Sequence, residues 1–348
     1  MINIELLSTI CKTPGAPGFE HAIRSFLVHE LEPFADRIEL DSMGNIIAFC
    51  KGKSSLKKLM FSAHMDEISF IVSHIDEEGF VRFLPLGGFD PKTLTAQRVI
   101  IHGKKDIIGV MGSKPIHLMS PEERTKNSTI KDYFIDTGLS KSELIEHIEI
   151  GNSITREREL IQMGQCINAK SLDNRISVYC LLEAFKLIHN QRPEVDVYAV
   201  FTVQEEIGLR GAKTAAHYIA PDYAINVDTT IAFDVPGAQA HEVITKLGQG
   251  VAIKIMDSSV ICDYRMVKFI KEQATLANIV WQAELLPAGG TDTASVQTAG
   301  NGAITGALSI PTRHIHQVIE MVHQKDVMET IKLIQILASS IHQFNWTF

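Results

Sequence analysis

The sequence predicts an α/β protein whose main domain is interrupted by a smaller β domain. The chain of 348 residues exceeds the length at which a single hydrophobic core usually stops growing. Strand and helix patterns alternate in its C-terminal half, which is typical of a sheet covered by helices. Residues 68–164 instead contain short strands separated by glycine and proline, which is typical of a small β-barrel or sandwich. We therefore expect one domain at residues 1–67 and 165–348, and an inserted β domain at 68–164.

The first elements are two helices followed by two β segments. Helices are expected at about residues 2–12 and 19–34, on either side of the turn TPGAPG, because proline and glycine interrupt helices. The segment RIELDSMGNIIAFCKG predicts a hairpin that turns at residues 43–45, and the run KLMFSAHMD predicts a buried strand. His64 and Asp66 stand at the carboxyl end of that strand.

Short strands are expected in the insertion, and larger elements follow it. In the insertion the strand-like segments are ISFIVSHIDEEG, FVRFLPLGG and QRVIIHGKKDIIGVMGSKP. After it, SLDNRISVYCLLEAFKLIHN has a helical pattern and VDVYAVFTV that of a strand. The remaining expected elements are a helix at 210–219, the strands YAINVD and GVAIKIMD, a helix at 264–276, the strands IVWQAE and AITGALSI, and a helix at about 326–345.

Composition excludes several classes of function. The formal net charge of -8 and the absence of long Lys/Arg runs argue against nucleic acid as a partner. No segment has the 18 or so uninterrupted apolar residues of a membrane span. The N-terminal segment MINIELLSTICK lacks the basic region of an export signal, so we expect a cytoplasmic protein. Five cysteines without a CxxC pair indicate reduced thiols.

Metal-capable side chains follow several predicted strands. In α/β sheets, functional side chains gather beyond the carboxyl ends of the strands. His64, the pair Glu205 and Glu206, and Asp228 all occupy such positions. Imidazole and carboxylate are the ligands that zinc, cobalt and manganese accept. Asp66, two residues after His64, is placed to fix the tautomer of the imidazole.

Two further candidates have alternatives that the residues alone leave open. Asp173 precedes a predicted helix, so it suits a helix cap or a first-turn carboxylate as well as a metal ligand. His316 follows the strand AITGALSI and the loop PTRHI, where His314 is a rival ligand.

The adjacent glutamates indicate hydrolytic chemistry. Successive residues of an extended segment point in different directions, so one carboxylate can bind metal while its neighbour faces a water molecule. A glutamate beside a metal site can accept the proton of a metal-activated water. A solvated loop pair is the alternative, but an apolar strand precedes Glu205 and Glu206, and Gly208 and Gly211 indicate a tight turn after them. The pattern predicts a two-metal hydrolase.

Six segments, in this order and spacing, resemble those of one enzyme family. They are SAHMDEISFIV, AKSLDNR, QEEIGLRGA, the VD at 227–228, GGTDTAS and SIPTRHIH. The family is that of the dinuclear metallo-aminopeptidases of the tetrahedral, dodecameric type, which includes glutamyl aminopeptidases and cellulase M homologues. The resemblance spans nearly the whole chain, including GVMGSKPIHLMSPEER and DYFIDTG in the insertion.

The resemblance implies a fold and an assembly. We expect a zinc-peptidase-like α/β catalytic domain with a mixed sheet, interrupted by a small PDZ-like β-barrel domain that makes dimer contacts. Dimers are then expected to form a hollow dodecamer that trims short peptides from their amino ends.

The resemblance also implies a ligand set for two divalent ions, with zinc or cobalt favoured and manganese also suitable. His64 and Asp228 would bind one ion, Glu206 and His316 the other, and Asp173 would bridge the two.

The remaining roles follow from the same resemblance. A hydroxide that bridges the metals would be the nucleophile, Glu205 the general base and Asp66 the orienting carboxylate. The peptide bond between Asp173 and Asn174 is expected to be cis. His316 is preferred as the ligand because tyrosine is common in the family where His314 stands.

Three residues depart from the family pattern, and two other functions compete. Gln317 and Val318 replace small and proline residues, and His323 stands where an acidic residue is frequent; none of these changes removes a ligand. A metal-dependent deacylase or amidase acting on N-acyl amino acids is the alternative reaction, since two-metal chemistry is not specific to peptides. A non-catalytic peptide-binding protein is the third hypothesis. A cellulase is disfavoured because two Trp and six Tyr make an aromatic carbohydrate strip improbable.

Overall fold

A large mixed sheet and a separate β-barrel make up the protein in the computed structural model, which describes residues 1–348. The elements before the barrel are α1 (Ile4–Lys12), α2 (His21–Leu31), β1 (Arg37–Leu40), β2 (Ile46–Cys50) and β3 (Lys58–His64). The barrel region contains β4 (Ser69–Ile75), β5 (Val81–Leu86), β6 (Arg98–His102), β7 (Ile107–Ser113), α3 (Pro121–Thr125), β8 (Tyr133–Asp136), α4 (Lys141–Leu144) and β9 (Ser153–Arg156).

The chain then returns to the large sheet and alternates between strands and helices. These elements are β10 (Ile161–Met163), β11 (Cys166–Ala169), α5 (Leu172–Gln191), β12 (Asp196–Thr202), α6 (Arg210–Ile219), β13 (Tyr223–Ile231), β14 (Val251–Met256), α7 (Tyr264–Leu276), β15 (Trp281–Leu285), α8 (Asp292–Gln297), β16 (Ile304–Arg313), β17 (Glu320–His323) and α9 (Gln324–Ser340). The predicted helices at 210–219 and 264–276 are confirmed.

The large sheet has 11 strands in the order β1-β2-β12-β3-β13-β16-β17-β11-β10, with β14 beside β16 and β15 beside β14. Strands β12, β3, β13 and β16 run parallel, whereas β2, β14 and β17 pair antiparallel with their neighbours in that group. The four parallel strands therefore present their carboxyl ends at one edge of the sheet. The register places Thr202 opposite His64, and Asp228 opposite Ser309.

The insertion is a closed barrel of antiparallel strands in the order β4-β5-β8-β7-β6-β9, with β9 pairing back to β4. It has a core of its own, a cluster of 15 buried apolar residues separate from the 52-residue cluster under the large sheet. A sheet that closes on itself leaves no unpaired edge. The predicted fold class, a mixed α/β sheet interrupted by a β-barrel, is confirmed.

Several elements differ from the sequence-based expectation. Strand β13 continues through Asp228 to Ile231, because residues 229–231 pair with β16 in an unbroken register; Asp228 therefore lies inside a strand and not after one. Strand β16 likewise runs through the segment PTR to Arg313. Strand β17 and helix α8 were not expected, since four and six residues are too short to show a periodic pattern.

None of the helices combines the length and the apolar character that a membrane span requires.

Candidate metal centre

The predicted site residues meet at the carboxyl edge of the parallel strands. His64 is the last residue of β3, and Asp228 lies in the neighbouring strand β13. Glu205 and Glu206 follow β12 by three and four residues. Asp173 stands at the start of α5, and His316 in the loop between β16 and β17. All except His316 and Glu206 are buried.

Asp173 lies between the two histidines. Its Oδ1 is 3.4 Å from Nε2 of His64, and its Oδ2 is 3.3 Å from Nε2 of His316. Its backbone has φ -78° and ψ 104°, which a helix cap can also adopt, but both of its carboxylate oxygens face the histidines, and this favours the role of a ligand. The peptide bond from Asp173 to Asn174 is cis, as expected. His314, the rival histidine, is exposed.

The donors form two overlapping groups that share His64, one with Asp173 and Glu206 and the other with Glu205 and Asp228. Nε2 of His64 is 3.7 Å from Oδ1 of Asp228 and 3.8 Å from Oε2 of Glu205. Nε2 of His316 is 3.7 Å from Oε2 of Glu206. Bonds of about 2.0–2.1 Å in a tetrahedral zinc site place neighbouring ligand atoms about 3.4 Å apart, so these separations suit divalent ions. Glu205 is as close to His64 as Asp228 is, and distance alone allows either carboxylate to be a ligand.

The electrostatics of the cluster favour cations. Burial, with repulsion from Asp173 adding to it, raises the pKa of Glu206 to about 8. Burial also raises the pKa of Asp228 to about 7, against the opposing charge of His64. Burial raises the pKa of Glu205 well above its ordinary value, and the charge of His64 opposes this shift. Buried carboxylates gathered this closely are stabilised in their ionised form by compensating positive charge, which metal ions supply.

Asp66 connects three members of the site. Its Oδ1 and Oδ2 accept hydrogen bonds of 3.1 Å from the backbone N–H groups of Glu205 and Glu206. Its Oδ1 is also 3.5 Å from Nδ1 of His64. Asp66 thus holds the segment that carries both glutamates and faces the ring nitrogen opposite the one that points into the site. Such contacts orient ligand side chains.

Glu320 is a functional candidate that sequence reasoning missed. It is 1% exposed, and its Oε1 and Oε2 accept hydrogen bonds from the backbone N–H groups of His316 (2.8 Å) and Asp173 (2.9 Å). One carboxylate therefore holds the backbone of two proposed ligands. A signal was available, since Glu320 is the first acidic residue after His316. Its strand β17 was not expected, however.

Glu67 was also missed, because its partners are distant in sequence. Its Oε2 accepts a hydrogen bond of 2.6 Å from Nζ of Lys170 and another from the hydroxyl of Ser171. Arg175 Nη2 lies 3.7 Å from its Oε1. This buried charge cluster ties the segment after β3 to the segment that carries Asp173.

A cavity of about 450 Å³ opens over the site. Its wall contains the candidate ligands together with the apolar side chains of Leu209, Ile231, Leu286 and Ile315. Lys254 also lines it, but its ammonium group is paired with Glu284 at 2.6 Å. A larger cavity of about 920 Å³ lies between α1 and the barrel and contains none of the candidate ligands. We assign the chemistry to the smaller cavity, because all of the candidate ligands line it.

Comparison with known proteins identifies close similarity along the chain. The family model of the M42 glutamyl aminopeptidases matches residues 44–333. A putative aminopeptidase of Acetivibrio thermocellus is 38% identical over 331 residues, covering 95% of this chain and 96% of its own. The structure of aminopeptidase APDkam598 from Desulfurococcus kamchatkensis superposes with a TM-score of 0.93 at 34% identity, covering 97% of this chain and 94% of its own.

A further solved structure is similar over a comparable length. The Pyrococcus horikoshii TET1 peptidase, which can assemble into a tetrahedron or a large octahedral shell, has a TM-score of 0.87 at 32% identity. The match covers 96% of this chain and 98% of that one.

Proposed function

Since the chain belongs to the M42 glutamyl aminopeptidase family and is a peptide hydrolase, we propose that it is a two-metal aminopeptidase acting on short peptides. The observation that carries the proposal is the carboxylate of Asp173, which places one oxygen near His64 and the other near His316. A carboxylate in that position can bind two ions at once. Glu205 supplies the additional carboxylate that a hydrolase needs.

The ligand assignment divides the cluster into two ion positions. His64 and Asp228 hold one ion, Glu206 and His316 hold the other, and Asp173 contributes to both. The proximity of these donors and the buried Oε1 of Glu206, which has no hydrogen-bond partner, support this division. The nitrogen and oxygen donor set suits zinc or cobalt, and manganese as well.

In this proposal Glu205 moves the proton and Asp66 orients the groups around it. Two bound ions would polarise the scissile carbonyl and lower the pKa of the attacking water, the source of the hydroxide nucleophile, towards about 7. Glu205 accepts the proton of that water and delivers it to the leaving amine. The backbone hydrogen bonds from Glu205 and Glu206 to Asp66 keep the base and its neighbouring ligand in fixed relative positions.

We expect the metal-loaded protein to hydrolyse aminoacyl-p-nitroanilides and to be at least about 100-fold slower on their N-acetyl counterparts. The physical reason is that acylation turns the amine into a neutral amide, which has no positive charge for the anionic site and whose delocalised lone pair is a poor metal ligand. Steady-state kcat/KM over matched free and acetylated substrates, after loading with zinc, cobalt or manganese, measures this difference. Preference for the acylated substrates would favour a deacylase or amidase.

We further propose that the protein forms homo-oligomers, namely a dodecamer built from dimers, and that residues 68–164 form a domain that makes the dimer contacts. The assembly described for the TET1 peptidase supports this. Exposed apolar side chains on and beside the barrel also support it, since Ile108, Leu84 and Leu118 are 62%, 57% and 70% exposed. Such residues are frequent where a partner covers a surface. A cytoplasmic location stays a prediction.

Light scattering of the purified protein should give the mass of twelve chains. Leu118→Glu should shift the mass towards smaller species, because it places a charge in the proposed dimer contact. Leu276→Glu is the matched control, since Leu276 is equally apolar and 75% exposed but lies in α7. A stable wild-type monomer with full peptidase activity would contradict the assembly proposal.

A further inference from the structure

The loop that carries His316 contains little that would hold it in place by itself. Residues 314–319 contain no proline, and two of them, His314 and His316, have positive φ values of 58° and 64°. Side chains other than glycine adopt this left-handed region at an energetic cost. Contacts from outside the loop must therefore hold the backbone of His316 in its position.

Two side chains, one from the large sheet and one from the barrel, hydrogen-bond to the backbone of His316. Glu320 accepts the N–H of His316, and Nη1 of Arg156 donates a hydrogen bond of 2.9 Å to its carbonyl oxygen. Glu320 is the first residue of β17, the strand of the large sheet that follows the loop. Arg156 is the last residue of β9, so it reaches the loop from the barrel.

The guanidinium of Arg156 is buried and makes no hydrogen bond other than this one. The side chain is 2% exposed, and its Nε and Nη2 have no hydrogen-bond partner, so the bond to His316 is the only one it makes. Its Cζ lies 5.5 Å from the ring centre of Phe89, which stacks on the barrel residue Phe70. A buried guanidinium is costly unless nearby charge compensates it.

Carboxylates of the site provide part of that compensation, although burial still lowers the pKa of Arg156 below its ordinary value. The acidic groups that attract Arg156 most are Glu320, Glu67, Glu206 and Asp173. Two of these are proposed ligands, and Glu320 holds the backbone of two ligands. The cation thus lies among the groups that shape the ion position next to His316.

We propose that Arg156 is a positioning residue, which fixes His316 for its metal ion by binding the His316 carbonyl and thereby connects the barrel to the metal centre. This inference rests on the proposed two-metal function. Arg156 does not touch substrate or metal in this proposal. It acts through His316, and its loss should weaken one ion position more than the other.

Arg156→Met tests the proposal, because methionine keeps much of the apolar contact with Phe89 but removes the hydrogen bond and the charge. After removal of metal with a chelator, titration of the full-length protein with Zn²⁺ should show about tenfold or weaker binding of the second ion, with the first little changed. The range follows from the roughly 10–100-fold effect of removing a group that orients a ligand. Kcat should fall at limiting Zn²⁺ and recover in excess, with KM unchanged.

Two further variants make the result specific. Arg158→Met is the matched control, since Arg158 is exposed and lies two residues along the same segment; it should bind both ions as the wild type does. Arg156→Lys retains a donor and the charge, so its second-ion affinity should lie closer to that of the wild type than to that of Arg156→Met.

The outcomes separate this inference from the proposed function. A wild-type protein that binds fewer than two ions contradicts the two-metal function itself. A wild type with two ions and a folded Arg156→Met protein of equal Zn²⁺ affinity overturns only the role of Arg156, as does an Arg156→Lys protein as defective as Arg156→Met. If Arg156→Met does not fold, Arg156→Gln decides, because glutamine is neutral and too short to keep the bond to the His316 carbonyl: about tenfold weaker binding of the second ion supports the role, and wild-type affinity overturns it.

Discussion

Glu205→Gln should lower kcat by about 10²–10⁴-fold, the usual contribution of a general acid–base group, while both metal ions remain bound. Glutamine keeps the size of the side chain but cannot accept a proton at the same position. The measurement pairs steady-state kinetics on an aminoacyl-p-nitroanilide with the metal content of the same protein sample.

The neighbouring Glu206 provides the matched control. Glu206→Gln should lose affinity for one ion, and its activity should recover in part with excess metal. A Glu205→Gln variant that is fully active would exclude the base role. Loss of an ion from Glu205→Gln would instead make Glu205 a ligand, which its 3.8 Å distance to His64 permits.

Asp173→Asn should weaken both ion positions and abolish detectable hydrolysis. The two carboxylate oxygens of Asp173 lie near different histidines. Asparagine has no negative charge and only one side-chain oxygen, so it cannot offer an oxygen to each ion. The loss of affinity should exceed the roughly 10–100-fold effect of removing a group that only orients a ligand. Zinc titration of the chelator-treated protein, with activity measured at each step, tests both parts of the expectation.

His314→Ala is the control for this experiment, because His314 belongs to the same loop as His316 but is exposed. It should keep both ions and most of the activity. Two ions bound by Asp173→Asn with unchanged affinity would remove Asp173 from the bridging role. Loss of an ion from His314→Ala would reopen the choice between the two histidines.

The parts of the structure that depend on local pattern could be predicted from the sequence. Apolar runs followed by polar residues located His64, the two glutamates and Asp228, although the strand of Asp228 continues to Ile231. The roles of Asp173 and His316 could not be decided from the residues alone. The choice for Asp173 depends on the two histidines that its carboxylate meets, His64 and His316, and both are remote from it in the chain.

The supporting residues could not be predicted, because their partners are remote in the chain. Glu67 contacts Lys170 across 103 positions, and Arg156 contacts His316 across 160. The function of Glu320 depends on β17, a strand that exists only because β16 and β11 pair with it. The roles of such residues can be recognised only from the folded structure, which brings the contacting residues together.

The position of the barrel within the chain also determines the order in which the protein can fold. Strand β3 precedes the barrel, whereas both of its partners in the sheet, β12 and β13, follow it. During synthesis β3 therefore has neither neighbour until the ribosome has translated the insertion and α5. The barrel strands pair only with one another and have their own core. The barrel can therefore fold before β3 pairs with β12 and β13. Strand β3 thus pairs with its two neighbours only after the barrel has been made.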